Sequence, residues 1–335
     1  MISRFGRGRA TDTPLTDETP LSSSEADADT SGATPILTEE ELPRPPDTAP
    51  VRPDLGPPAP GPQSANQPGS GLGLIISVAI ASIVFVLAIY GAGSPTANPL
   101  PLAQTTNTLY WAVAVIAIAA SAIGAEYADR TASRAHDRPG LGTSPMRTAW
   151  IVPAVATATA VVLVATFHNS TMIAVGPLIA FLGSAGSLLS RDLLDDADDS
   201  AQRTATTIHT LVIHAIAFLA LSAIYLNKLP TPLTALLAAI VTVLLVLEAL
   251  ERSSVSFDRK LTYAVLAGGG VAAAATPLMW WLTHGWTGGA VLFVVFYCAA
   301  GIVQAAADRR PIRLRDAIEF GLVPLAAFLV LAITA

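Results

Sequence analysis

The sequence predicts an all-α polytopic membrane protein with about nine transmembrane helices arranged as hairpins, preceded by a disordered tail. Three observations support this fold class. The chain is 52% hydrophobic and only 13% charged, whereas soluble domains contain about a quarter charged residues. Nine apolar runs are long enough to cross a bilayer core, which needs roughly 20 helical residues. Proline and charge are concentrated near the N-terminus, so we expect a tail over residues 1–70 and a helical transmembrane domain over residues 71–335.

The tail is acidic and rich in serine, threonine and proline. It has too few large apolar side chains to offset the entropy cost of ordering, and we expect a stiffer proline-rich spacer from about Leu42 to Pro62. Thr13, Thr19 and Thr34 each precede a proline, and phosphorylation there would add charge. The tail is predicted to be a solubilising tether or a docking segment for a cytoplasmic protein partner. No apolar segment closely follows MISRFGRGR, which argues against a signal peptide.

The apolar runs are predicted to be helices because of their length and because they do not alternate as transmembrane β-strands do. Short connections after the third, fifth and seventh runs predict helical hairpins. The nine runs are Gly71–Tyr90, Leu109–Ala125, Thr148–Phe167, Thr171–Ser190, Thr207–Tyr225, Leu233–Leu250, Leu261–Leu282, Gly289–Ala307 and Ala317–Thr334.

Basic residues are distributed asymmetrically between the runs. They cluster after the second, fourth, sixth and eighth runs, whereas the opposite connections contain only Lys228. Because cytoplasmic loops carry an excess of Lys and Arg, we expect the basic side to face the cytoplasm across the inner or plasma membrane. The N-terminus is then cytoplasmic, and nine spans place Ala335 outside. The basic residues are Arg130, Arg134, Arg138, Arg147, Arg191, Arg203, Arg252, Arg259, Lys260, Arg309, Arg310, Arg313 and Arg315.

Aspartates are concentrated in the segment RDLLDDADDSAQRTATTIH, which begins at Arg191. Asp192, Asp195 and Asp199 are spaced i, i+3 and i+7, and they would share one face if the fourth helix continued through them. Carboxylates that face each other hold hard cations such as Mg²⁺, usually together with substrate phosphates. The alternative interpretation is a solvated acidic loop between two membrane helices.

This aspartate spacing resembles the second aspartate motif of the UbiA-type intramembrane prenyltransferases. The segment YADRTASRAHDRPG, Tyr127–Gly140, is similar to the first motif of that family, with Asp129 and Asp137 in the places of metal ligands. The resemblance implies nine helices and Mg²⁺-dependent prenyl transfer at cytoplasmic loops. Two features differ from the family pattern. The asparagine that begins the first motif is absent, and the aspartates follow the fourth run instead of the sixth.

The fifth run begins with a polar arc. Thr206, His209, Thr210 and His214 fall on one side of a helix, within roughly 140°. A polar arc in a membrane helix normally faces the interior of the bundle. We expect these side chains to form hydrogen bonds between helices, with a proton relay as the alternative. The two histidines are five residues apart, which is a poor spacing for a shared metal.

The centres of the spans contain no Asp, Glu, Lys or Arg, which disfavours ion-coupled transporters and proton pumps. Glu248 lies in the last turn of the sixth run and is expected to snorkel toward water. The single cysteine, Cys298, excludes an intramolecular disulfide and a cysteine zinc cluster. Residues Gly268–Gly270 lie near the middle of the seventh run. They permit close helix packing, or a helix break that would expose carbonyl groups to a substrate.

Together these features favour a non-enzymatic membrane scaffold or interaction protein with no cofactor. Its expected partners are the lipid bilayer and a cytoplasmic protein, and not nucleic acid. One alternative is a Mg²⁺-dependent prenyltransferase-like enzyme that uses Asp129, Asp192, Asp195 and Asp199. Another is a transporter of a neutral or lipid-like solute, with a cavity around the seventh helix. These functions differ in whether the ends of the second, fourth and sixth helices converge on one cavity.

Overall fold

The computed structural model describes residues 68–92, 108–135, 147–167, 169–196, 199–280 and 286–308, together with Leu322, Leu325 and Leu329. The predicted tail up to residue 67, Asp137, and all but three residues of the ninth run lie outside this described part of the chain. At Asp195 and Asp199 the backbone alone is described.

The described part of the chain contains eight α-helices and no strands. Each helix coincides with one of the first eight predicted runs, and α2, α4 and α5 extend beyond their runs on the basic side. The helices are α1 (Pro68–Ala92), α2 (Thr108–Ala135), α3 (Ile151–Phe167), α4 (Ser170–Asp196), α5 (Asp199–Leu226), α6 (Thr231–Ala249), α7 (Phe257–Leu278) and α8 (Thr287–Ala307).

Seven of these helices are long and apolar enough to cross a membrane. The exception is α3, which is apolar but has only 17 residues. The prediction of an all-helical fold with membrane-length helices is therefore confirmed for the described residues. The predicted number of nine spans is not confirmed, because α3 is short and the ninth run lies almost wholly outside the described residues.

The bundle has two distinct ends. The end that contains Asp129, Arg191 and Glu248 is called the charged end, and the end that contains Thr166 and Asn227 is called the opposite end. Charged side chains belong to the final turns of α2, α4 and α6, whereas Lys228 is the one charged residue among the described residues of the opposite end. This division agrees with the asymmetric distribution of basic residues in the sequence.

The helix α3 lies at the centre of the bundle. It packs against α1, α2, α4, α5 and α6, and most of its residues are buried. Its sequence, IVPAVATATAVVLVATF, has no charged or strongly polar face, as expected for a helix surrounded by others. The hydroxyls of Thr157 and Ser121 lie 3.0 Å apart, and Tyr110 donates a hydrogen bond of 2.8 Å to the carbonyl oxygen of Val161. Polar side chains therefore connect α2 to α3.

Small residues set the distance between several helices. A Cβ atom at Gly183 of α4 would overlap Ala156 of α3, and a Cβ atom at Gly268 of α7 would lie 2.6 Å from Val243 of α6. The two glycines that follow Gly268 have nothing within 4 Å of their Cβ positions, and α7 is continuous through all three. The structure therefore shows close packing at Gly268 and no helix break.

Candidate functional site

Arg191 lies near the end of α4 and is buried among carboxylates. Its side chain is only 7% exposed. The guanidinium donates a hydrogen bond of 2.7 Å to Oε1 of Glu248 and another to Glu251, and it lies 3.5 Å from Oδ1 of Asp129. The hydroxyl of Thr148, just before α3, accepts a further hydrogen bond of 3.0 Å. We call these five residues the arginine cluster.

The arginine cluster joins the ends of three helices. Asp129 belongs to α2, Arg191 to α4 and Glu248 to α6, so the ends of these helices converge. Arg147 lies 3.9 Å from Asp129 at the exposed margin of the cluster. A buried charge is unfavourable unless it is paired and hydrogen-bonded. Here the carboxylates of Asp129, Glu248 and Glu251 surround the guanidinium of Arg191. This pairing offsets much of the free-energy cost of removing the charged groups from water.

Glu248 is the most deeply buried member of the arginine cluster, at 2% exposure. Its Oε1 accepts hydrogen bonds from Nε and Nη2 of Arg191, at 3.1 and 2.7 Å. Its Oε2 is also buried and has no hydrogen-bond partner among the described residues. The prediction that Glu248 snorkels to water is therefore wrong. The physical reason is Arg191, because a cation on another helix allows the carboxylate to remain inside the bundle.

His209 connects α5 to the arginine cluster. Its Nδ1 lies 2.9 Å from the hydroxyl oxygen of Ser190 on α4, and its Nε2 lies 3.6 Å from Oε1 of Glu248 on α6. The ring thus spans the space between two other helices. Among the predicted polar arc, His209 contacts other helices, whereas the hydroxyl of Thr206 and Nδ1 of His214 donate to carbonyl oxygens of α5 itself.

His214 has different surroundings, farther along α5. Its Nδ1 donates a hydrogen bond of 2.8 Å to the carbonyl oxygen of Thr210. Its ring makes edge contacts with Phe293, Phe296 and Tyr297 of α8, at centroid distances from 5.6 to 6.2 Å. In the neutral form of His214, Nε2 is then a hydrogen-bond acceptor. The two histidines contact different helices and different chemical groups.

A polar cavity of about 270 Å³ lies between α5, α8 and the end of α6. All four residues of the predicted polar arc line it, as do two carboxylates of the arginine cluster. The polar residues of the lining are Thr206, His209, Thr210, His214, Glu248, Glu251, Arg252, Ser253, Gln304 and Asp308. The polar cavity is therefore bordered on one side by the polar arc of α5 and on another by Glu248 and Glu251 at the end of α6.

An apolar cavity of about 620 Å³ adjoins the polar cavity. Thr206, Thr210 and His214 line both. The remaining residues of its lining are Thr207, Leu211, Phe293, Val294 and Tyr297. Because Leu211 is 67% exposed, the apolar cavity opens at the surface of the bundle between α5 and α8. The two cavities together are polar near the arginine cluster and apolar toward the surface.

The aspartates predicted to bind metal belong to three helices. Asp129 faces Arg191, and Asp192 follows Arg191 on α4. Asp195 also belongs to α4, whereas Asp199 begins α5, so the three aspartates of the second motif do not lie on one helix. Within the described residues, no group of three or more His, Cys, Asp or Glu side chains is arranged to hold a metal ion.

Arg191 and Glu251 were not predicted from the sequence to be site residues. Both lie at the end of an apolar run, where charged side chains commonly reach water. Position along the chain gives one signal, which places the two charges at a similar depth but does not identify the pair. Arg191 directly follows the fourth run and Glu248 lies inside the sixth, on the same predicted side of the membrane. Opposite charges at one depth are expected to pair.

Residues 96–334 match the model of DUF5656, a family described as a protein of unknown function. The chain belongs to this family. The matched range contains the arginine cluster and both cavities, and it excludes α1. The candidate site therefore lies in the part of the chain that defines DUF5656. No curated protein and no solved structure matches the chain.

Proposed function

We propose that this DUF5656 member is a non-enzymatic multi-pass membrane protein that binds a lipid-like amphiphile at the charged end of its bundle. The observation that carries the proposal is that the polar cavity and the apolar cavity adjoin and share three lining residues. Binding sites for small molecules are concave and mostly apolar, with a few polar groups at fixed positions. Two adjoining cavities of this kind suit a molecule with a polar headgroup and an apolar chain.

The opening of the apolar cavity favours a ligand that is dissolved in the membrane. Leu211 and Thr207, both in its lining, are exposed on the surface of α5. The length and composition of α5 allow it to cross a bilayer, and these side chains would then face lipid. A lipid-like solute can enter from the side, without passing through the bundle. The transporter alternative is compatible with this site, although the cavities lie beside α5 and α8 and not around α7.

The arginine cluster gives less support to the enzyme alternative. A Mg²⁺ site is built from oxygen ligands that face one ion, whereas Asp129, Glu248 and Glu251 face the guanidinium of Arg191. The scaffold function favoured by the sequence depends on the tail and on an expected cytoplasmic protein partner, and the tail lies outside the described residues. We retain the cytoplasmic N-terminus, the outer C-terminus and the inner or plasma membrane as proposals, because the basic connections favour them.

The proposal is tested by filling the apolar cavity. We expect Leu211→Trp to remove the amphiphile that copurifies with the full-length wild type, as measured by native mass spectrometry and lipid extraction. Leu236→Trp is the matched control, since Leu236 is 56% exposed on α6 and lines neither cavity. Absence of a bound amphiphile from the wild type, or equal retention by Leu211→Trp and the wild type, would contradict the proposal.

A further inference from the structure

The charges around the polar cavity are balanced. The charged residues of its lining are Glu248, Glu251, Asp308 and Arg252. Arg191 pairs with Glu248 and Glu251, and Lys260 donates to the backbone oxygen of Glu251. Asp308 and Arg252 also have interactions within the protein. A ligand with a net charge would lose its water here without meeting an unpaired counter-charge, which is unfavourable. The balance therefore favours an uncharged headgroup.

Two side chains of α5 offer hydrogen-bond acceptors, because their protons are donated within the helix. The hydroxyl of Thr206 donates to the carbonyl oxygen of Gln202 at 2.8 Å. The Nδ1 of His214 donates to the carbonyl oxygen of Thr210, also at 2.8 Å. The hydroxyl oxygen of Thr206 and, in the neutral ring, Nε2 of His214 then retain lone pairs. Both residues line the polar and the apolar cavity, so these acceptors lie where the two cavities adjoin.

Two further side chains offer donors to the polar cavity. Thr210 and Gln304 line it, and their side chains form no hydrogen bond with any described residue. Oε2 of Glu248 is fully buried, whereas neither of these polar groups is, so a ligand can reach them. An amide carries two N–H donors and one acceptor oxygen, and a hydroxyl donates and accepts. The lining therefore offers donors as well as acceptors, on α5 and on α8.

We propose that the headgroup of the bound amphiphile is uncharged and carries at least two hydroxyl groups, as a glycerol or sugar headgroup does. A hydroxyl both donates and accepts and has no charge, so it matches the balanced charges and the mixed hydrogen-bonding groups of the polar cavity. One hydroxyl contacts the acceptors of α5, and another contacts Gln304 on α8. The apolar chain lies in the apolar cavity beside Leu211. This inference rests on the proposed function, because it assigns the headgroup of the same ligand.

The inference is tested with five probes added to the full chain in phosphatidylcholine nanodiscs, where no sugar-headed detergent competes. The probes are dodecylglycerol, dodecylamine, dodecyl phosphate, dodecyl methyl ether and glycerol. Dissociation constants are measured by native mass spectrometry, with thermal shift as a second measurement. We expect dodecylglycerol to bind at least about tenfold more tightly than the charged probes or the methyl ether, since each neutral hydrogen bond contributes roughly fivefold. Glycerol should bind at least about tenfold more weakly than dodecylglycerol, because it leaves the apolar cavity unfilled.

Each other result overturns a defined part of the inference. Equal or tighter binding of dodecylamine or dodecyl phosphate would overturn the uncharged headgroup and leave amphiphile binding intact. Equal binding of the methyl ether, which has no O–H donor, would overturn the role of the hydroxyl groups. Equal binding of glycerol would overturn the lipid as the source of the hydroxyls. Absence of binding by all five probes would overturn both this inference and the proposed function.

Variants of Gln304 connect the preference for hydroxyls to the polar cavity. Gln304→Leu removes the amide, and dodecylglycerol should bind roughly fivefold more weakly. Gln304→Glu adds a negative charge to the lining, and we expect the preference for dodecylglycerol over dodecylamine to fall at least about tenfold. The matched control is Gln202→Leu. Gln202 is exposed in the first turn of α5 and lines neither cavity, so its variant should bind dodecylglycerol as the wild type does.

A second pair of variants tests the contribution of α5. Thr210→Val removes a hydroxyl, and dodecylglycerol should bind roughly three- to fivefold more weakly. The matched control is Thr262→Val, because Thr262 is an exposed residue of α7 that lines neither cavity. Equal effects within the threonine pair or within the pair of leucine variants, or an unchanged preference in Gln304→Glu, would overturn the assignment of the hydroxyl headgroup to the polar cavity.

Discussion

The contact between α5 and α8 is built differently at its two ends. At the opposite end, glycines of α8 lie so close to α5 that a Cβ atom on Gly288 would overlap Tyr225, and one on Gly289 would overlap Ser222. At the charged end, the same two helices border the polar and apolar cavities. Aromatic residues of α8 surround His214 between these regions. The glycines of α8 thus permit close contact with α5 at the opposite end, whereas larger side chains of α8 leave space beside α5 at the charged end.

The polar groups also differ between the opposite end and the charged end. At the opposite end, the amide of Asn227 donates to the hydroxyl oxygen of Thr166 at 3.0 Å and to the carbonyl oxygen of Ala223 at 2.7 Å. At the charged end, ion pairs around Arg191 leave Oε2 of Glu248 without a hydrogen bond. Each end has an unpaired buried oxygen, the hydroxyl of Ser222 at the opposite end and the carboxylate of Glu248 at the charged end. An unpaired charged group costs more free energy than an unpaired neutral one, so the two ends differ in the charge of their polar groups. Three predictions test this difference.

The largest effect is expected when the charged end loses its cation. Arg191→Met leaves the buried carboxylate of Glu248 without a counter-charge, and removal of one partner from a buried ion pair costs about 3–5 kcal/mol. We expect a loss of this size in the free energy of unfolding, measured in detergent micelles. The control is Arg130→Met, because the Arg130 side chain is 56% exposed and pairs with Glu126 on its own helix at 3.0 Å. Such exposed pairs contribute about 0.5 kcal/mol or less, so similar losses in the two variants would contradict the prediction.

The helices were largely predictable from the sequence, and their ends were not. All eight described helices coincide with apolar runs, because a run of about 20 apolar residues has few other stable forms in a bilayer. α2 nevertheless continues to Ala135, past the predicted end at Ala125. The additional segment EYADRTASRA is polar but compatible with a helix. Hydropathy identifies the apolar part of a helix and gives no information on polar turns that extend beyond it.

A smaller effect is expected from the close contact at the opposite end. A Cβ atom in Gly289→Ala would overlap Ser222, including its backbone Cα, and overpacking of this kind costs about 1–3 kcal/mol. The control is Gly269→Ala on α7, where nothing lies within 4 Å of the Cβ position. Alanine should there be neutral or stabilise the helix by up to about 1 kcal/mol. The two variants are compared by thermal unfolding of the full chain, and equal tolerance of both would show that the close contact is absent.

The candidate site was predictable only in part. The polar arc on α5 is visible in the spacing of Thr206, His209 and His214, since helical periodicity alone places them together. The partner of Glu248 is not visible, because Arg191 is separated from it by 57 residues of chain. The positions of Glu248 and Arg191 in the sequence indicate that both lie near one side of the membrane. Helix packing then determines which charged side chains come into contact. The expected snorkelling of Glu248 was wrong for this reason.

The smallest effect is expected from the neutral hydrogen bonds of the opposite end. Asn227→Ala removes a hydrogen bond between α3 and α5, but Thr166 keeps its own bond of 2.7 Å to the carbonyl oxygen of Val162. Because no buried group is left unpaired there, we expect a loss of about 0.6 kcal/mol, and at most about 1.7, as for other hydrogen bonds between membrane helices. Ser82→Ala is the control, since the hydroxyl of Ser82 donates only within α1, at 2.8 Å.

The same variant also separates stability from binding. Asn227 and Thr166 line neither cavity, so Asn227→Ala should retain the amphiphile that copurifies with the wild type, whereas Leu211→Trp should not. A destabilisation by Asn227→Ala as large as that of Arg191→Met, or a loss of the bound amphiphile, would show that the two ends are energetically coupled. The charged end would then depend on the opposite end for its shape, and ligand binding could not be assigned to the cavity residues alone.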